Sequence, residues 1–215
     1  MRWCVFVLLL LPSFVLAFAP RMSLDKAPDW AHDPLAVQRG AALFEAHCLA
    51  CHSAKGLVSP MSLVDARAAL GAVPPDLSQI ARARGGDYIY TYLRAYYLDS
   101  SQATGWNNAV FPNVNMPHVL ADLQGAQLPQ FENRPELYDK TRDNRQIAGF
   151  VLSKPGKMSQ VEYDRVAAEL TGFLVYVGEP SRQERLRLGV FVVLFFSVFT
   201  VFAWRLHAAY WKDVK

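Results

Sequence analysis

Cys48-Leu49-Ala50-Cys51-His52 is the stretch on which the fold turns. Two cysteines separated by two residues and followed directly by histidine form the C-x-x-C-H pattern of covalent c-type haem attachment. On a helical segment each thiol can add to one haem vinyl group, while the histidine reaches the iron from the same side. A C-x-x-C pair also occurs in thioredoxin-like redox sites, in zinc sites and as a disulfide in oxidising compartments. The chain has three cysteines, and the remaining one, Cys4, lies in an apolar N-terminal block, so there is no second pair for zinc. No parallel-sheet pattern surrounds the motif, and His52 stands where haem requires a histidine. Cys48 and Cys51 are therefore read as the attachment points of one haem c and His52 as an axial ligand of its iron.

The flanking sequence puts the motif on a helix. Asp33 can cap a helix whose first residue is Pro34, and Val37, Ala41, Phe44, Cys48 and Cys51 recur on one face at three- and four-residue steps. Gly40, one turn before Phe44, leaves room for another helix to approach closely. Far downstream, Ser159 and Glu162 form a capping box ahead of Val161, Leu170, Phe173, Leu174 and Val177, and that helix stops at Gly178-Glu179-Pro180. Between them, Pro74-Pro75-Asp76-Leu77-Ser78 opens a helix through Ile80 and Arg84 towards Gly85-Gly86, and Tyr88 to Tyr97 reads as a third. The expectation is a domain of helix and loop.

Methionine opposite histidine makes a higher-potential electron carrier, whereas an open position permits ligand chemistry such as a peroxidase or gas-binding protein would use. Met22 lies near the start of the mature chain, Met61 lies close behind His52, and Met158 adjoins the capping box. Met116 is the leading candidate. Phe111-Pro112-Asn113-Val114-Asn115-Met116-Pro117 presents it from an extended loop, with Pro117 disfavouring helical geometry at Met116 itself. The competing readings are a methionine that only fills the core and a bis-histidine iron using His118.

The termini account for a composition that is 52% hydrophobic. Met1 to Ala19 has a basic start, an apolar stretch and small residues before Pro20, the pattern of a secretory signal peptide cut after Ala17, with an uncleaved anchor as the alternative. Leu188 to Trp204 carries no charge and at ~1.5 Å per residue spans about 25 Å, close to a bilayer core once Arg187 and Arg205 snorkel outward. The expected division is signal peptide 1–17, haem domain 18–185, transmembrane anchor 186–206 and cytoplasmic tail 207–215, with membrane lipid around the anchor. Export would put the haem domain on the periplasmic side of a bacterial inner membrane. Cations and anions balance between Phe18 and Arg187, and no basic stripe suggests nucleic acid.

Taken together, these residues resemble the cytochrome c1 family, the haem subunits of quinol:cytochrome c oxidoreductase (cytochrome bc1) complexes. The resemblance rests on Arg39-Gly40 and Phe44 before the haem motif, on Pro74-Pro75-Asp76-Leu77-Ser78, and on Arg82-Ala83-Arg84-Gly85-Gly86-Asp87-Tyr88. It continues through the Met116 loop and through Met158-Ser159 to Glu179-Pro180 and a single C-terminal anchor. It implies a mainly α c-type cytochrome domain with loops and a long insertion, plus one transmembrane helix. It also implies that Cys48 and Cys51 bond the haem, that His52 and Met116 ligate the iron, that Arg84 and Tyr88 lie near a propionate, and that the Pro75 carbonyl orients the His52 ring. The implied role is electron transfer, without catalysis by this chain alone, from the Rieske iron–sulfur protein to a soluble or tethered cytochrome c and alongside cytochrome b. A free-standing anchored cytochrome feeding an oxidase is the alternative. Three features depart from the family pattern: a short stretch between His52 and Pro74, His118 beside the methionine loop, and a charged insertion from Leu120 to Lys157.

Overall fold

The computed structural model describes residues 22–133 and 145–213; the signal-peptide reading therefore lies outside the described residues. Helix α1 (Pro34–His47) begins where Asp33 Oδ1 accepts from the Leu35 N–H at 2.9 Å, and it buries Ala36, Gly40 and Phe44. Helix α6 (Gln160–Gly178) is the central element, buried along most of its length. The two helices touch where α1 has no side chain. A Cβ on Gly40 would lie 2.8 Å from both the Glu169 carbonyl carbon and Phe173 Cβ, so only glycine permits the crossing. Phe44 and Phe173 pack one turn away, with ring centroids 5.4 Å apart. Phe44 and Leu170 are almost wholly buried, and burying such side chains is worth roughly 1.5–3 kcal/mol each.

The remaining helices pack around this pair or stand apart from it. Helix α2 (Leu63–Leu70) is a short piece that the sequence reading did not expect, capped by Ser62 and closed by Gly71 in the left-handed region at φ 68°. Helix α3 (Ile80–Arg84) leads through Gly85, at φ 88°, into helix α4 (Gly86–Arg94). Helix α5 (Ala121–Gln124) is a single turn, and helix α7 (Arg182–Trp211) leaves the domain with its apolar side chains exposed. Its stretch Glu184–Trp211 is long and apolar enough to cross a membrane, and none of its most apolar window is buried in the protein.

Two expectations are corrected here. The helix read from Tyr88 to Tyr97 ends at Arg94, and strand β1 (Tyr96–Leu98) follows, paired antiparallel with strand β2 (Trp106–Asn108). Amides from distant segments make the break: Asn108 Nδ2 donates to the Tyr92 carbonyl at 2.8 Å, and Gln127 Nε2 donates to the carbonyls of Arg94 and Tyr96 at 2.8 and 2.6 Å. These partners take carbonyls that a longer helix would have engaged. In a domain expected to be helix and loop, the charged insertion is largely an antiparallel hairpin of strands β3 (Gly125–Asn133) and β4 (Arg145–Pro155) with two register shifts. About half of the described chain is helical, so the mainly α expectation holds only loosely.

Candidate haem site

The C-x-x-C-H motif closes α1 as a single tight turn. Cys48 is the helix C-cap, and its carbonyl accepts from both Cys51 N–H at 3.0 Å and His52 N–H at 2.8 Å. Both cysteines are free and half-buried, and Cys48 belongs to the core surface around Phe44 and Leu170. Burial pushes the Cys48 thiol up to about 12, with a further rise from the neighbouring Cys51. It is thus held as a neutral thiol.

His52 is buried, and its Nδ1 lies 2.8 Å from the Pro75 carbonyl oxygen. A carbonyl only accepts, so Nδ1 carries the hydrogen and Nε2 keeps its lone pair, the arrangement that prepares a histidine to ligate metal. The Pro74-Pro75 segment is pinned to the motif by the Leu77 N–H, which donates to the Ser53 carbonyl at 2.7 Å. Ser59 ties the loop on the other side, its N–H donating to Ser53 Oγ and its hydroxyl to the Ala50 carbonyl.

A second group of residues lies along one side of α4. Arg84 sits over the Tyr88 ring at 5.4 Å, Tyr88 stacks on Tyr92 at 6.0 Å, and Tyr92 meets the edge of Tyr96 at 5.4 Å. Tyr88 and Tyr92 share one face of α4 at four-residue spacing, and the end of α3 and the start of β1 bring Arg84 and Tyr96 to either side of them. Tyr96 in turn stacks on His118 at 4.7 Å, and Trp106 packs edge-on against His118. Tyr88 also borders the core cluster that Cys48 borders, which brings the two groups to one core. Burial raises the Tyr88 phenol while Arg84 pulls it back; burial pushes Tyr92 up to about 12, and burial likewise raises Tyr96.

Met116 is half-buried, and the Tyr92 hydroxyl donates to its Sδ at 3.5 Å. Two asparagines shape its loop. Asn108 Oδ1 accepts from the N–H groups of Val110 and Phe111, and Asn107 Oδ1 accepts from the Asn113 N–H at 2.8 Å, with Asn113 at φ 60°. Met22 and Met158 pack against core clusters, and the Met61 N–H is held by Ser59 Oγ. His118 is buried, which pushes its pKa down to about 4 against an upward pull from Gln124, and among the described residues neither its Nε2 nor Gln124 Oε1 has a hydrogen-bond partner of good geometry.

Sequence reasoning did not single out Tyr92, Tyr96, Asn107 or Asn108. The four-residue tyrosine spacing was visible in the chain, but the asparagine roles depend on loop closure. Among the described residues no cluster of three or more His, Cys, Asp or Glu could hold a bare metal ion. Two thiols and one prepared imidazole on a single turn suit an iron that brings its own equatorial ring.

A family model described as the Cytochrome C1 family matches residues 58–127, the span from just behind the motif through Pro75, Arg84, Tyr88 and Met116. The chain is 36% identical to a protein named ammonia monooxygenase gamma subunit from Nitrosomonas europaea, with 99% of this chain and 98% of that one aligned. It is also 36% identical to cytochrome c1 of Allochromatium vinosum, over 96% of each chain. To cytochrome c1 of Rhodospirillum rubrum it is 30% identical over 67% of this chain and 52% of the other.

Proposed function

This chain belongs to the cytochrome c1 family, electron-transfer haem subunits of cytochrome bc1 complexes, and we propose from that membership how its own residues hold haem c and serve the transfer. Cys48 and Cys51 would hold the haem through two thioether bonds, and His52 Nε2 and Met116 Sδ would ligate its iron. Arg84 and Tyr88 would receive a propionate, where the guanidinium would supply a charge-assisted donor. The observation that carries this reading is the His52–Pro75 hydrogen bond, which orients the imidazole and frees Nε2.

The bound haem supplies a one-electron couple, which no side chain here provides. The protein contributes position, dryness and donor strength. The thioether of Met116 is a soft donor that favours the reduced metal, and burial disfavours the extra charge of the oxidised state. Electrons enter from a Rieske iron–sulfur protein and leave to a soluble or tethered c-type cytochrome, with cytochrome b beside α7 in a bacterial inner membrane. The N-terminal signal pattern supports a haem domain on the periplasmic side, with residues 207–215 as the cytoplasmic tail.

Changing Cys48 and Cys51 together to Ala should abolish the haem stain that survives denaturing electrophoresis, since only covalent bonds persist there. Retained stain at this band would remove the assignment. Met116→Leu preserves volume and apolarity; it should keep the covalent haem, lower the reduction potential and let carbon monoxide bind the reduced iron. A second reading has one observation in its favour: the buried, unpartnered Nε2 of His118 is chemically able to ligate iron. If His118→Leu and not Met116→Leu changes the potential and the carbon monoxide response, that reading replaces the first.

Mild-detergent purification tests the assembly. A b-type haem protein and a Rieske protein should accompany the chain. A free-standing shuttle would come alone, and a chain serving as its Nitrosomonas europaea relative is named would come with an oxygenase.

A further inference from the structure

The contact between Tyr92 and Met116 has a direction that the atoms themselves dictate. A thioether sulfur carries no hydrogen, so at the 3.5 Å contact the Tyr92 hydroxyl is the donor. Its single hydrogen is then committed, and the 2.8 Å contact between Tyr92 Oη and Tyr96 Oη needs Tyr96 as donor. We propose that Tyr96 and Tyr92 form a one-way hydrogen-bond relay ending on Met116 Sδ, and that Tyr92 is a positioning residue that holds this sulfur and weakens its electron donation, raising the reduction potential. The proposal rests on Met116 being a ligand of the haem iron.

The geometry supports a built device. Tyr92 is held on both sides, stacked on Tyr88 at 6.0 Å and edge-to-face with Tyr96 at 5.4 Å. Tyr96 is 1% exposed and is itself clamped against His118 at 4.7 Å. The backbone at Tyr92 is fixed by Asn108, the same residue whose Oδ1 anchors the start of the methionine loop. Donor and acceptor thus hang from a shared anchor. Sulfur has two lone pairs, one for a metal and one for a proton donor. A proton donor on the second makes the thioether a weaker σ-donor to oxidised iron and a better acceptor of density from reduced iron, so it adds to the preference of this soft ligand for the reduced metal. Aligned hydroxyls polarise each other, so Tyr96 strengthens the donor that Tyr92 presents.

Tyr92→Phe keeps the ring and its packing while deleting the terminal donor. In the full-length, haem-loaded protein it should shift the far-red sulfur-to-iron absorption band and move the reduced-to-oxidised ratio at a fixed solution potential about threefold towards oxidised. Tyr96→Phe should move both in the same direction by less, and the double substitution should equal Tyr92→Phe alone. Met116→Leu is the control on the underlying reading. If it leaves band and potential unchanged, the ligand assignment fails and the relay with it. If it removes the band while Tyr92→Phe changes neither observable, the relay alone is overturned. Should Tyr92→Phe not accumulate, Tyr96→Phe decides: a smaller shift of both observables supports the relay, and an unmoved band and potential overturn it.

Discussion

Helices α6 and α7 follow one another with only a short break at Glu179, Pro180 and Ser181, and both are rich in Leu, Val and Phe, yet they meet different solvents. Helix α6 opens with a full capping box and buries Tyr163, Val166, Leu170, Phe173 and Leu174 in the protein core. Helix α7 has no side-chain cap, and Phe195 and Trp204 are 64% and 69% exposed. A helix packed by protein needs a cap, small residues at its crossings and a polar remainder. One destined for lipid needs length and uniform apolarity. Glu179 joins the two regimes, pairing with Arg82 of α3 at 3.3 Å and with Arg185 of α7 at 3.1 Å.

The strongest way to break this contrast is to remove one partner. A chain ending before Leu188 keeps the Glu179 pairs and should be recovered as a soluble, haem-staining domain after cell fractionation. Recovery in salt-washed membranes would mean that something other than α7 anchors it. Removing α6 in the same way should leave no folded, haem-bearing product, because it carries the shared core.

Glycines sharpen the contrast at the next scale. Gly40→Ala drives a methyl into α6 and should cost about 2–3 kcal/mol, lowering the thermal midpoint of the detergent-solubilised full chain by roughly 5–10 °C. Gly189 on α7 has open space around its Cβ position. Gly189→Ala should stay within about 0.5 kcal/mol of the parent. Equal effects at the two positions would contradict the packing difference.

The smallest effects concern the caps. Ser159→Ala should cost about 1 kcal/mol, while Ser181→Ala, which removes no cap, should change stability by less than about 0.5 kcal/mol. Glu162, the partner in the box, is held below its ordinary carboxylate value chiefly by the Ser159 N–H and then by the Ser159 hydroxyl. Its folded value is the depressed one, so its contribution is complete above the ordinary range and fades as pH falls through the lowered value. The stability difference between Ser159→Ala and the parent should therefore shrink in acid and persist at neutral pH, as pH-dependent melting would report.

Some of this molecule was legible in the chain because the signals are local. Asp33 before Pro34, Ser159 before Glu162 and the uncharged run after Arg187 each act within a few residues, and the described helices begin or run where those signals stand. The Gly40 reading also anticipated a close helix crossing, although not that Glu169 and Phe173 would fill it. Helix α2 was missed despite a local signal, Ser62 with Asp65 and Gly71, because its surface is mostly exposed and shows little apolar periodicity. The end of α4 was not legible, since Asn108 and Gln127, which take its carbonyls, come from later segments. Nor was the hairpin β3–β4, where Leu128, Phe131, Val151 and Leu152 remain exposed and the usual alternation of a half-buried strand is blurred.

The same division runs through the site. The sequence alone carried the proposed attachment chemistry, because C-x-x-C-H is a matter of covalent reach along one helical turn, and it determined the candidate anchor, because lipid selects for apolarity over a length. Tertiary structure decided what surrounds those groups: the Pro75 carbonyl on His52 Nδ1, the contact of Arg84 with the Tyr88 ring, the buried His118, and the tyrosine hydroxyl on Met116. The physical reason is range. A cap, a turn or an apolar run is settled by neighbours in sequence, whereas a hydrogen bond such as Tyr92 to Met116 joins residues whose separation of 24 positions no local rule spans.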